Sequence, residues 1–372
     1  MVRPGWKLIG RLGLAAWLAS AMVFMATQAQ ALVIDAYFTG TLSSSTGATP
    51  TQIETTIQNA ANAVAALYSN PGTVSILFST ESASFLGESG TIQDTLSYSA
   101  YTAALAADAA AHPSNTTLAT AVANLASGNQ DSTISATPAL LSVGLGLSGY
   151  GPNLAGYDGV IVLSSSEPLD YTNRTPTGGE YDATRVIEHE IDEVLGGGGQ
   201  GSTLNAVASC GLDNADNCNT MTDGNADLSF DMGPLDLYRY ACGSNTPSFT
   251  ASSSANACLS VNGGTTDILQ FNQLSSGDYG DFASSSSGCP GCEFPSSAAC
   301  PDDVQDAFTC PNQAANETTS SPEYQMMLSI GYDPIPEPTS TVLLSVGAGG
   351  VAILRSRRRA RPTKIPARLA LG

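Results

Sequence analysis

The apolar positions of this chain change period along its length, and each change predicts a different kind of element. Residues 32–38 and 74–78 are short apolar runs suited to strands, the second preceded by the turn signals Asn70, Pro71 and Gly72. Between them Thr49 can cap a helix, Pro50 suits its first position and Gln52 completes a capping box. Ile53, Ile57, Ala60, Ala61, Val64 and Leu67 then recur at helical spacing. Strand, helix and strand in that order predict a crossover unit in a layered α/β domain.

Residues 98–111 are alanine-rich and helical in propensity, stopped by His112 and Pro113. A further helix is expected with Ser114 as its cap and Leu118, Val122 and Leu125 on one face. His112 reads as a surface residue closing the first of these helices, where a cation suits the dipole. Residues 158–164 form the clearest short buried strand, and a helix begins near Asp182 and runs to the glycines 196–199. Beyond them regular period is lost for more than a hundred residues, until residues 321–331 show a serine cap, a first-turn proline and a closing glycine.

The two ends are of another character. A basic start (Arg3, Lys7, Arg11), an apolar run over 12–26 and the small residues Ala29 and Ala31 have the pattern of a secretory signal peptide covering 1–31. Pro336-Glu337-Pro338, an apolar run over 341–354 and an arginine cluster from Arg355 to Arg361 resemble the PEP-CTERM sorting signal of Gram-negative bacteria. The resemblance implies export, transient membrane anchoring through this 334–372 segment and removal of its tail by an exosortase-type processing enzyme, so that the mature chain ends near Pro338, extracellular or on the cell surface. The alternative is an ordinary membrane anchor, although about 14 residues fall short of the roughly 20 that a full span needs.

Composition then sharpens the picture of the remaining body. The chain has a formal net charge of −20, and ten of its 13 basic residues sit in the two end segments. Arg174, Arg185 and Arg239 are the only basic residues left in the body, which excludes a basic stripe for nucleic acid. All eight cysteines (Cys210, Cys218, Cys242, Cys258, Cys289, Cys292, Cys300 and Cys310) fall after residue 201. In an exported chain they are expected to form disulfides, with Cys210–Cys218 and Cys242–Cys258 the simplest pairings. The organisation predicted is an α/β subdomain over 32–200 and an irregular, disulfide-stabilised subdomain over 201–333.

The candidate chemistry lies on the helix before the glycine run. Glu188, Glu190, Asp192 and Glu193 place four acids within six residues around His189, one of two histidines in the chain. His189 and Glu193, four residues apart, lie about 40° apart around a helix and face one way. Ile187, Ile191, Val194 and Leu195 fall opposite and would anchor it. Four packed carboxylates raise one another's pKa values unless a cation relieves them. The plain alternative is a solvated acidic helix face.

His189-Glu190-Ile191-Asp192-Glu193-Val194-Leu195-Gly196 resembles the His-Glu-x-x-His-x-x-Gly helix of the metzincin zinc metalloproteases, with glutamate for the second histidine. It is more similar to a group of secreted bacterial metalloproteases with His-Glu-Ile-x-Glu at this place. That group also shows segments like Asp236 to Tyr240, Gly277 to Phe282 and Ile330 to Tyr332. The resemblance implies a metzincin-like (zincin) mixed sheet with an active-site helix, and an exported zinc-dependent endopeptidase acting on protein or peptide substrates. His189 and Glu193 would be metal ligands, and Glu190 the general base that takes a proton from water acidified by the metal. The place of a third histidine is taken by Gly199, so the third ligand must be a carboxylate or a tyrosine; Asp236, beside Arg239, is the first choice. Such oxygen-rich ligation also admits calcium. The rival expectation is a non-catalytic surface or matrix protein that keeps the scaffold around a structural metal. For the three arginines the readings are structural ion pairs or a clamp for an oxyanion near the metal.

Overall fold

The computed structural model describes residues 31–125, 133–172, 175–209, 231–284 and 303–336. The chain divides into two compact units, Met1–Pro334 and Ile335–Gly372. The expected signal peptide, the apolar run 341–354 with its arginine cluster, Arg174, and Cys210, Cys218, Cys289, Cys292 and Cys300 lie outside the described residues. Among the described residues no helix is long and apolar enough to cross a membrane.

The first unit is mixed α/β, built on a four-stranded sheet in the order β1, β2, β6, β3. β1 (Leu32–Phe38) and β2 (Gly72–Glu81) run parallel, with Leu32 opposite Gly72 and Phe38 opposite Phe78. Parallel neighbours need a crossover, and α1 (Pro50–Ala65) supplies it. Its start is fixed by the expected box: Thr49 accepts from Gln52 N, and the Gln52 side chain accepts from Thr49 N at 2.8 Å. Ile53, Ile57, Ala60, Ala61 and Val64 are fully buried, and each larger aliphatic side chain contributes about 2 kcal/mol by leaving water. β6 (Gly159–Ser164) lies parallel to β2, and β3 (Gly87–Gly90) closes the sheet antiparallel to β6. With two glycines and no alternation, β3 had no strand signature.

α2 (Tyr98–Ala111) and α3 (Thr116–Ala123) follow a two-stranded ribbon, β4 (Asp94–Ser97) with β5 (Thr133–Ala136). The cap of α3 is Asn115 and not the expected Ser114, for a tertiary reason. Asn115 Oδ1 accepts from Leu118 N at 3.0 Å, while its Nδ2 donates to Tyr332 O at 2.9 Å. His112 does close α2, but it is not free of acids: its Nδ1 lies 2.8 Å from Asp108 and 2.6 Å from Asp333.

α4 (Ala183–Leu195) is the helix expected before the glycines, capped by Asp182, whose side chain accepts from Thr184 N at 2.9 Å. Gly196, at φ 102°, ends it with N–H groups returning to Asp192 O and Glu193 O. α1 rests on β1, α4 rests on β6 and β3, and the two helices touch, so both cover one face of the sheet. α4 has no solvated acidic face: Glu188, Glu190, Asp192 and Glu193 are all buried.

After α4 the described chain is mostly loop and short element, as the loss of period predicts. It includes the short helix α5 (Leu204–Ser209) and a 3-10 turn at Pro234–Tyr238; just before α4, β7 (Leu169–Asp170) pairs parallel with β8 (Tyr181–Asp182). β9 (Arg239–Ala241), β10 (Ala257–Leu259) and β11 (Leu269–Gln270) form an antiparallel sheet stapled by the Cys242–Cys258 disulfide. Cys310 is also disulfide-bonded. α6 (Pro322–Ile330) packs on α3 and receives the Tyr238 hydroxyl on Ser329 O, while Tyr332, just after it, donates its hydroxyl to Leu195 O at the end of α4 at 2.9 Å.

Candidate metal centre

α4 delivers His189, Glu190 and Glu193 to the floor of a cleft of about 800 Å³. β3 forms one wall through Gly87, Glu88 and Ser89; the opposite wall comes from residues 276–281 and 304–311. The sheet's edge strand thus runs beside the helix that carries the chemistry.

His189 and Glu193 meet a third carboxylate here, Asp281. His189 Nε2 lies 3.8 Å from Glu193 Oε1 and 3.7 Å from Asp281 Oδ2, and the three ligand atoms all fall within 4.8 Å of one another. Ligands of a tetrahedral zinc with bonds of about 2.0–2.2 Å stand about 3.4 Å apart, so small shifts would let the three share one ion. Two other groups of described residues bring possible ligand atoms together. In Cys242, Cys258 and Asp267 the sulfurs are spent in a disulfide, and in Asp108, His112 and Asp333 the imidazole is half-exposed and already hydrogen-bonded.

Each member of the His189 group is aimed by its surroundings. His189 Nδ1 lies 3.0 Å from Val304 O, which places the ring proton on Nδ1 and the lone pair on Nε2. Burial drives its pKa down to about 4, with Arg185 acting the same way and the Val304 carbonyl opposing, so the ring is neutral as a ligand must be. Glu193 is held at both oxygens: Gly199 N donates to Oε1 at 2.9 Å and Ser89 Oγ to Oε2 at 2.6 Å. A side chain at residue 199 would place its Cβ 2.5 Å from Glu193 Oε1, so the glycine run has a steric reason at this point. Gln305 Nε2 donates to Asp281 Oδ1 at 3.0 Å and lies 3.3 Å from His189 Nε2.

Glu190 is buried beside this group, its carboxyl hydrogen-bonded to that of Glu193. Gly87 leaves it room, because a Cβ there would sit 2.6 Å from Glu190 Oε1. Burial raises its pKa well above the usual range, and the charges of Glu193, Asp281 and Asp278 add to the effect. Glu193 is pushed up to about 8 by burial first and then by Asp278, against its hydrogen bonds from Ser89 and Gly199. Asp281 is raised by burial and by Glu193 and Asp278. One neutral nitrogen and a knot of like-charged carboxylates is a donor set that fits a small dication, since a shared ion would relieve every one of these repulsions.

Asp236 stands elsewhere. Its Oδ1 accepts from Ser202 Oγ at 2.6 Å, and its Oδ2 from Thr203 N and Gly233 N, both at 2.9 Å. Both oxygens are occupied in tying the chain around the 3-10 turn, and the third carboxylate beside His189 and Glu193 is Asp281. The arginines are likewise engaged: Arg185 pairs with Asp306 at 3.1 Å and donates to Asp303 O, holding the 303–309 segment to α4. Arg239 lies 4.2 Å over the Phe271 ring and donates to Tyr279 O, with burial lowering its pKa to about 10.

Asp281 and Asp278 belong to the Gly277–Phe282 segment, so a sequence signal for the third carboxylate existed in its repeated Gly-Asp-aromatic pattern. Ser89 and Gln305 carry no signal of their own; only folding brings them to the helix. Comparison with known proteins finds no family model, no curated protein and no solved structure that significantly matches this chain.

Proposed function

We propose that the protein is an exported zinc-dependent endopeptidase of metzincin-like fold. The observation that supports this most is the convergence of His189, Glu193 and Asp281 on the floor of a cleft, with Glu190 at their side and an edge strand along the wall. His189, Glu193 and Asp281 would hold the ion. When bound, zinc would supply Lewis acidity, polarising a peptide carbonyl and letting a water lose a proton near neutral pH.

The rest is done by the chain itself. β3 offers backbone groups to an extended peptide by strand addition, which sets the scissile bond over α4. Glu190 accepts the water's proton and returns it to the leaving amine. The Val304 carbonyl keeps the His189 lone pair toward the cleft, and Ser89 with Gly199 fixes the Glu193 carboxylate beside it. Two carboxylate ligands leave less positive charge on the ion than three histidines would, so water at this centre should lose its proton at a higher pH than in a three-histidine site.

The test is metal analysis of the purified protein beside a casein-type cleavage assay. Near-stoichiometric zinc is expected, with chelator-sensitive cleavage that falls by about 10² to 10⁴ in Glu190→Gln while zinc content is kept. Calcium alone in the cleft, with no chelator-sensitive cleavage, would favour the rival reading of a non-catalytic surface protein.

A further inference from the structure

α4 has a second acidic side that the proposed chemistry leaves unused. Glu188 and Asp192, four residues apart, share a face of the helix, and neither lines the cleft. They meet Glu317, in the segment leading into α6, and Glu323, in the first turn of α6. Glu317 N donates to Glu188 Oε2 at 3.4 Å, and the buried Tyr68 hydroxyl donates to Glu317 Oε1 at 2.5 Å. Gln305 N donates to Glu323 Oε1 at 2.9 Å. Glu188, Asp192 and Glu323 are 2 %, 0 % and 0 % exposed. Glu317 is half-buried as a residue, yet its Oε2 atom is buried.

What separates this cluster from an ordinary acidic patch is the state of its oxygens. Both oxygens of Asp192, Oε2 of Glu317 and Oε2 of Glu323 are buried without a hydrogen-bond partner. The largest charges acting on Asp192 are those of Glu317, Glu323 and Glu188, all carboxylates. Arg185 and Arg239, the basic residues described, are engaged at Asp306 and over Phe271. A buried carboxylate with neither a hydrogen bond nor a counter-charge costs several kcal/mol; Asp192 is such a group, and Glu317 and Glu323 beside it are each satisfied at one oxygen only.

We propose that Glu188, Asp192, Glu317 and Glu323 form a second cation site, behind the cleft, that takes calcium. The donors are all oxygen, which selects a hard cation. No three of them approach one another as closely as the atoms at His189 do. Oxygens bound to one calcium at 2.3–2.6 Å stand at most about 5 Å apart, so these carboxylates would have to draw together on the ion, with carbonyls and water completing its six to eight ligands. The site joins α4 to the segment before α6, so its occupant would pin the helix that carries His189 and Glu193. It does not depend on any activity of the cleft.

The experiment uses the full-length protein stripped with chelator and titrated with calcium chloride, followed by calorimetry and thermal unfolding. Wild type is expected to bind calcium and to rise in melting temperature. Asp192→Asn should weaken that binding at least ten-fold and lose the calcium-dependent rise, whereas Glu193→Gln should keep both. In chelator, Asp192→Asn should melt no lower than wild type, since it removes one of several buried like charges; Glu323→Gln serves as the second variant if Asp192→Asn fails to fold. The proposal is overturned if wild type shows no calcium-dependent rise, if the rise persists in both rear variants, or if Glu193→Gln alone abolishes it.

Discussion

The two acidic sides of α4 use the same residue types in opposite circumstances. Toward the cleft, Glu193 and Asp281 accept hydrogen bonds from Ser89, Gly199 and Gln305 and stand around a neutral imidazole. Toward the rear, Asp192 has no hydrogen-bond partner at either oxygen and no nitrogen ligand is gathered with it. Carboxylates fixed in advance around a histidine, at an open cleft, could hold a small ion and, under the proposed function, leave room beside it for a substrate. Carboxylates enclosed on all sides suit an ion that only holds elements together. Burial alone does not tell the two apart; hydrogen-bond partners and access do.

The largest effect that would break this comparison concerns zinc. Glu193→Gln is expected to lower zinc affinity by more than about 100-fold, beyond the usual cost of losing a neighbour of a metal ligand. Asp192→Asn, one residue away, should leave zinc affinity within a few-fold of wild type. Zinc competition with a chromogenic chelator measures both, and equal losses in the two variants would mean that one ion spans the helix.

How much of this was legible in the sequence follows from how local each feature is. The α1 capping box and the pairing of His189 with Glu193 span three or four residues on one helix, so spacing alone located them. Asp281 reaches the site across 88 positions of aperiodic chain, and no spacing rule links it to Glu193. Its segment stood out only as a repeated Gly-Asp-aromatic pattern. β3 was hidden because its sequence answers to Glu190 and not to a strand pattern: Gly87 is small to clear that carboxylate. Glu317 and Glu323 look like ordinary surface acids until the fold brings the start of α6 and the chain before it to Glu188 and Asp192.

A smaller effect sharpens the contrast from the side of a satisfied carboxylate. Asp236, buried and hydrogen-bonded to Ser202, Thr203 and Gly233, should act through stability alone. Asp236→Ala leaves those donors without a partner and is expected to cost about 2–4 kcal/mol in urea unfolding, with zinc and calcium binding unchanged. Zinc loss in a variant that still folds would return Asp236 to the ligand set.

The smallest effect belongs to an acid between these extremes. Asp333 is buried, but its oxygens face Asn115 and the half-exposed His112. Burial first, and then the charge of Asp108, raise its pKa to about 6, against the lowering effect of Asn115 and His112. Its unfolded value is about 3.9, so the folded chain binds the proton more tightly. The stability this group contributes is therefore fully present below about pH 4 and is lost as pH rises through about 6. In chelator, wild type should lose melting temperature between pH 4 and 7 more steeply than Asp333→Asn. Parallel profiles would show that the contacts of Asp333 with Asn115 and His112 offset its burial across that range, and that a protein partner can replace an ion at a buried carboxylate in this fold.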